Sequence, residues 1–172
     1  MSEVKENFFK QHDEEGGSRR ILKNWNLKLV GFIAISWSLF QLWYASPLPF
    51  LLDFGKFIDV PARAIHLAFG MGLCFLAYPA LKTKRNSPIN FFDFFLAFIS
   101  ILATLYLVTE YEALVYRQGI LASFDLFGLK ISYELILGSL GILLLLEATR
   151  RAIGIPLVVI ALIFLLFSIF GQ

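Results

Sequence analysis

Glu147, Arg150 and Arg151 interrupt the apolar run "LLLLEATRRAIGIPLVVIALIF", at offsets that let one carboxylate meet two guanidinia on a single helical face. Their chemistry is that of an ion pair set beside lipid-like sequence. Other reactive side chains are sparse. His66 follows Arg63 by about one helical turn, and the only other histidine, His12, lies far away in the leader. A haem would need a second axial imidazole or thioether, and Met71 and Met1 are poor substitutes. A metal site fails for the same want of clustered ligands. Ser36, Ser38, Ser100 and Ser139 fall in apolar runs with no histidine or lysine at the same depth to activate them. Cys74 is the only cysteine, which excludes an intrachain disulfide. No glycine-rich phosphate loop or nucleic-acid-binding pattern occurs. These residues predict a helical scaffold rather than an enzyme, with no cofactor and no metal.

The elements that must hold them are apolar helices. Hydrophobic residues make up 58% of the chain and charged residues only 16%, against about 25% charged in soluble domains, so the balance is that of a membrane protein. A helix rises about 1.5 Å per residue, so roughly 20 residues cross the hydrocarbon core. Five runs meet that length. They are 29–46, the stretch between Arg63 and Lys82, 91–109, 131–149 and 152–171. Asp93, Glu110, Glu134 and Glu147 all fall near the ends of these runs, where a charge can pair or reach water. No cleavable leader is evident, so the first span is expected to stay as an anchor.

Basic residues set the orientation. With the N-terminus in the cytoplasm, Lys5, Lys10, Arg19, Arg20, Lys23, Lys28, Lys82, Lys84, Arg85, Arg150 and Arg151 lie inside. Lys56, Arg63, Arg117 and Lys130 lie outside, and this excess of inner positive charge is the usual one. "EATRR" then becomes the inner hairpin between spans four and five, with Gly154 and Pro156 suited to its turn. In the leader, residues 1–28, the stretch "RRILKNWNLK" puts Ile21, Leu22 and Trp25 on one face, which suits a short helix on the inner leaflet or a loose basic lead-in. Residues 47–62 read as an amphipathic segment at the outer interface, and Glu110 to Lys130 as a longer outer loop.

Small residues mark where helices can approach closely. Span two offers Ala64, Ala68 and Gly72, span three Ala97, Ser100 and Thr104, and span four Gly138, Ser139 and Gly141. His66 is expected to tie span two to a neighbouring loop by hydrogen bonds.

Several stretches carry a resemblance. "SLFQLWYA" closes span one, "RAIHLAFGMGLCFLAYP" makes span two, and "YEALVYRQG", Asp125 and "LEATRRAIG" follow in order. Over roughly residues 29–172 the chain resembles the N-terminal membrane region of TAXI-type TRAP transporter permeases, the tripartite ATP-independent periplasmic transporters. In that family a four-helix part equivalent to a small subunit is fused to a large transport part. The most specific pieces are the Arg63/His66/Leu67 group and the Leu146–Arg151 run with Gly154.

The resemblance implies an ion-driven secondary transporter in the cytoplasmic membrane of a bacterium or archaeon. A periplasmic binding protein would deliver an organic solute, typically a carboxylate. Residues 29–151 would correspond to the four-helix module, which braces the large permease part and holds no substrate motif. Residues 152–172 depart from a four-span small part and would begin the transport part or serve a split system. Arg63, His66, Arg117, Asp125, Glu147, Arg150 and Arg151 match family positions, and they are given packing and topology roles. The alternative is a stand-alone membrane anchor or assembly subunit of another membrane complex.

Overall fold

Long apolar runs with their charges gathered at the ends can satisfy their backbone only as helices, and helices dominate the computed structural model. It describes residues 19–22, 24–57, 59–81, 88–117, 123–126 and 129–171. In chain order these form α1 (Asn24–Ala45), a single turn α2 (Leu48–Leu51), α3 (Asp59–Ala77), α4 (Phe91–Thr109) and a short α5 (Tyr111–Tyr116). The strands β1 (Ser123–Leu126) and β2 (Leu129–Ser132) follow, then α6 (Tyr133–Ala152) and α7 (Ile155–Phe170).

Among the described residues, three helices are long and apolar enough to cross a membrane: Trp25–Ala45 within α1, and all of α3 and α4. The two remaining expected spans differ from these in an instructive way. α6 has 20 residues, about 30 Å of helix, but carries Glu134 near one end and Glu147, Arg150 and Arg151 near the other. α7 is free of charge, yet its 16 residues reach only about 24 Å. α4 keeps the bounds that the sequence predicts, whereas α1 begins five residues before the expected 29 and α3 begins at Asp59, ahead of Arg63.

Local chemistry explains the breaks. α1 ends where Pro47 and Pro49 follow, and the chain turns back through Asp53 and Gly55, both with positive φ. A Cβ at Gly55 would lie 3.1 Å from the indole nitrogen of Trp43, so close approach as well as φ calls for glycine. Ser132 caps α6 by accepting from the Leu135 N–H at 3.4 Å. Gly154, at φ 122°, breaks α6 from α7, and Pro156 sits in the first turn that follows.

Three expectations need correction. The fold is helical as expected, but residues expected as outer loop, with Ile131 and Ser132 from the expected start of span four, form a short antiparallel ribbon pairing Ser123 with Ser132 and Leu126 with Leu129. Runs of four residues are too short for their alternation to stand out from loop sequence. The leader does not form a separate interfacial helix over its described part: Arg19–Leu22 is not helical, and Trp25 already belongs to α1. Residues 1–18 and Lys23 lie outside the described residues, as do Lys82, Lys84 and Arg85. Gly138 and Gly141 do not form a close helix contact, since a Cβ at either would meet nothing within 4 Å. They line an apolar cavity of about 310 Å³ with Leu67, Met71, Ala103 and Leu137.

The small-residue stripe of α3 packs as expected. Ala64, Ala68 and Gly72 are buried, and they face α4, whose Ala97, Ser100 and Thr104 are buried in turn. A Cβ at Gly72 would meet the Ile101 side chain at 3.2 Å. Gly72→Val should therefore push α3 from α4 and cost about 1–3 kcal/mol in a detergent melt. Gly138→Ala, with open space around it, should stay within about 0.5 kcal/mol of the parent. Equal losses from the two would remove Gly72 from the packing seam.

The core gathers Val30, Met71, Phe75, Leu76, Ala97, Leu144 and Ala148 from α1, α3, α4 and α6, with Ile89 from the segment just before α4. α1 and α7 stay largely uncovered: α7 buries none of its residues, and Phe32, Ile35, Leu39 and Leu42 of α1 are exposed. The helices run up and down, so Arg19–Leu22, Tyr78–Leu81, Asn90 and Arg150–Gly154 share one end. The α2 segment, α5 and the ribbon share the other.

Candidate functional site

The end shared by Arg20, Asp93 and Arg151 brings three helix termini together. α3 finishes there with carbonyls that lack partners within the helix, α4 begins there, and α6 finishes there. A helix C-terminus favours cations and an N-terminus favours anions. The charges follow that rule. Arginines collect at the α3 and α6 C-termini, and Asp93 stands in the first turn of α4.

Asp93 is the hub. Its Oδ2 accepts from Arg20 Nη2 at 2.5 Å and its Oδ1 from Arg151 Nη1 at 2.8 Å, and all three side chains are almost fully buried. Arg20 also donates its backbone N–H to the Ala77 carbonyl at 2.8 Å and Nη1 to the Leu76 carbonyl at 3.5 Å. Arg151 reaches the Tyr78 carbonyl at 3.5 Å, and its guanidinium carbon lies 5.0 Å from the centre of the fully buried Phe75 ring. The last carbonyls of α3 are thus capped by the backbone and side chain of Arg20, and the Tyr78 carbonyl just beyond by the Arg151 side chain.

Glu147 extends the network. Arg150 grips it as a fork, Nε to Oε2 and Nη2 to Oε1, both at 2.7 Å, and Arg151 Nε donates to Oε1 at 2.8 Å. The offsets of three and four read in the sequence are realised in full. Arg150 Nη2 also donates to the Ala80 carbonyl at 3.3 Å, and the Cys74 thiol donates to the Ala148 carbonyl at 3.1 Å. Five charged side chains, from the leader, α4 and α6, therefore clasp one end of the bundle and hold it to the close of α3.

Arg20 and Asp93 are the members that sequence reasoning did not single out. In the sequence Asp93 reads only as a charge near a helix end, and Arg20 only as part of the basic leader that sets topology. The usable signal is chemical: a carboxylate in the first turn of an otherwise apolar helix needs a cation, and the leader is one of the basic stretches expected on its side.

At the opposite end, Glu134 is buried and accepts from Arg117 Nη1 at 2.6 Å and from the Tyr106 hydroxyl at 3.2 Å. Arg117 also lies 3.7 Å from Glu110 and donates to the Ala113 carbonyl at 3.2 Å. Arg117 therefore ties α5 to the start of α6. Asp125 lies in β1 by its backbone, and its side chain falls outside the described residues. Arg63 pairs with Asp59 one turn earlier at 2.8 Å, on the surface.

His66 departs from its expected role. Its partners lie on a helix, not a loop: Trp37 Nε1 of α1 donates to Nδ1 at 3.3 Å, and Gln41 Nε2 meets the same nitrogen. An Nδ1 that accepts leaves the proton of a neutral ring on Nε2. The Trp37 and His66 rings meet edge to face at 4.9 Å between centroids. His66, in the "RAIHLAF" stretch, thus joins α3 to α1 through Gln41 within "SLFQLWYA" and Trp37 just before it.

Hydroxyls within the apolar helices bond to their own backbones. Ser38 donates to Ala34, Ser100 to Ala97, Thr104 to Ser100 and Thr149 to Leu145, at 2.8–3.1 Å. What this arrangement can do is mechanical: it locks helix ends with paired charge and leaves broad apolar faces uncovered. Comparison of the chain with family models, with curated proteins and with solved structures returned no match.

Proposed function

We propose that the chain is a membrane scaffold module of a TRAP-type secondary transporter. It would brace a large permease part, fused or separate, that takes up an organic anion delivered by a periplasmic binding protein and driven by an ion gradient. The observation that carries the reading is the role of the "LEATRRAIG" stretch, the most specific piece of the family resemblance. Its Glu147, Arg150 and Arg151 are the residues that lock the helix termini together. A brace needs a rigid end and an open flank. The clasp supplies the first, and the uncovered faces of α1 and α7 supply the second.

In this reading the arginine-rich end faces the cytoplasm, α6 and α7 complete five spans, and the membrane is the inner one. The described basic residues Arg19, Arg20, Arg150 and Arg151 all lie at that end, as a retained positive side requires. The aromatic rings at the other end suit a headgroup belt. Phe40 stacks on Tyr44, Trp43 meets Phe54, and Tyr106 meets Tyr133.

The test is reconstitution. The chain with a large permease and its binding protein should take up labelled organic acids into proteoliposomes under a sodium or proton gradient. The chain alone should take up none. Ion-driven uptake by the chain alone would overturn the scaffold reading, and copurification with a soluble enzyme in place of a permease would favour the anchor-subunit alternative.

A further inference from the structure

The clasp is not electrically balanced. Arg20, Arg150 and Arg151 face only Asp93 and Glu147, so among the described residues it carries one positive charge more than it neutralises. Its hydrogen-bond donors are also in excess, since Arg20 Nε is buried with no acceptor among the described residues. Uncompensated charge at the edge of a low-dielectric region is costly, and an added anion relieves it.

A place for that anion adjoins the two hairpin arginines. A cavity of about 330 Å³ is lined by Pro79, Ala80, Arg150, Arg151, Gly154 and Pro156, among others. Such a volume lies within the range of about 300–1,000 Å³ typical of ligand sites. Arg151 is held rigidly by Asp93 and Glu147, while the Arg150 side chain is 38% exposed and open to a ligand from outside. Guanidinium is the side chain best matched to phosphate oxygens. Ile153 and Ile155, also lining the cavity, are 63% and 66% exposed. A soluble anion would leave these side chains bare, whereas an acyl chain would cover them.

We propose that the cavity between the Pro79–Ala80 turn and the Arg150–Pro156 hairpin is a phosphate site for the headgroup of an anionic phospholipid. The phosphate sits beside Arg150 and Arg151, and the acyl chains run along Ile153, Ile155 and the uncovered face of α7. The lipid then completes the charge of the clasp and covers the apolar rim in one step. The proposal rests on membrane embedding but not on transport. A chain that binds the lipid yet supports no uptake would keep this site and lose the transporter reading.

The experiment uses the full chain, delipidated in a neutral detergent, with its thermal midpoint followed by tryptophan fluorescence. Phosphatidylglycerol should raise the midpoint in a saturable way, and diacylglycerol with the same acyl chains should not. Arg150→Gln should weaken the apparent affinity about tenfold or more. Arg63→Gln, which removes an exposed guanidinium at the other end, should leave it unchanged. Equal stabilisation by diacylglycerol, or an unchanged response in Arg150→Gln, overturns the site. An equal shift from millimolar inorganic phosphate overturns the lipid assignment. Should Arg150→Gln fail to fold, the wild-type protein gives a second reading. Phosphatidylglycerol with a photoreactive headgroup should label residues 79–80 and 150–156, and labelling only elsewhere overturns the proposal.

Discussion

Asp93→Ala should destabilise the folded chain by about 3–5 kcal/mol, because it leaves two buried guanidinia without their shared carboxylate. For a chain of this length that is a fall of roughly 6–20 °C in the thermal midpoint. The cost is large because the arginines cannot simply turn to water. Arg20 and Arg151 side chains are each 1% exposed, and both are held in place by carbonyls at the close of α3. Asp93→Asn should lose nearly as much, since it keeps the shape but removes the charge. The decisive comparison is the double variant with Arg20→Met. Once Asp93 is alanine, removing Arg20 should cost little more, or even recover stability, because an unpaired buried charge goes with it. Strictly additive losses would show that the two side chains do not share an ion pair.

The second large effect is expected on insertion rather than melting. Changing Arg150 and Arg151 together to glutamate should abolish the correctly oriented bundle. It would set four carboxylates against Arg20 alone at the clasp, and it would strip two positive charges from the side that retains them. The readout is alkaline phosphatase fused after Gln172, which is active only outside the cytoplasm. In the proposed five-span arrangement with an inner N-terminus residue 172 lies outside, and on that reading the parent fusion should be active. The doubly reversed chain should fall to background or fail to accumulate. Full phosphatase activity in that variant would remove the arginines from any role in orientation.

How much of this was visible in the sequence depends on how far apart the interacting residues lie. α4 was legible to the residue, since Phe91–Thr109 is an apolar run whose one charge, Asp93, falls in its first turn, bounded by Asn90 and Glu110. The Glu147 pairs were legible because helical geometry fixes what lies three and four positions away. The packing of Gly72 was legible from its spacing, but the same spacing misled at Gly138 and Gly141, where α6 borders a cavity instead of a neighbour. Periodicity shows which residues share a face, not what that face meets. The Arg20–Asp93 pair spans 73 positions and the Asp93–Arg151 pair 58, and no local pattern connects them. His66 shows the same limit. Its need for a partner was evident, but the choice of Trp37 and Gln41 over a loop follows from the way α1 lies on α3.

Those separations also fix an order of events during synthesis. Arg20 leaves the ribosome first, Asp93 follows 73 residues later, and Arg151 arrives only after another 58. A nascent chain that stops between the last two holds a carboxylate with half its ligands and an α3 terminus only partly capped. The final arginine therefore closes a latch that earlier ones cannot, and until it arrives the chain keeps an open, charged end.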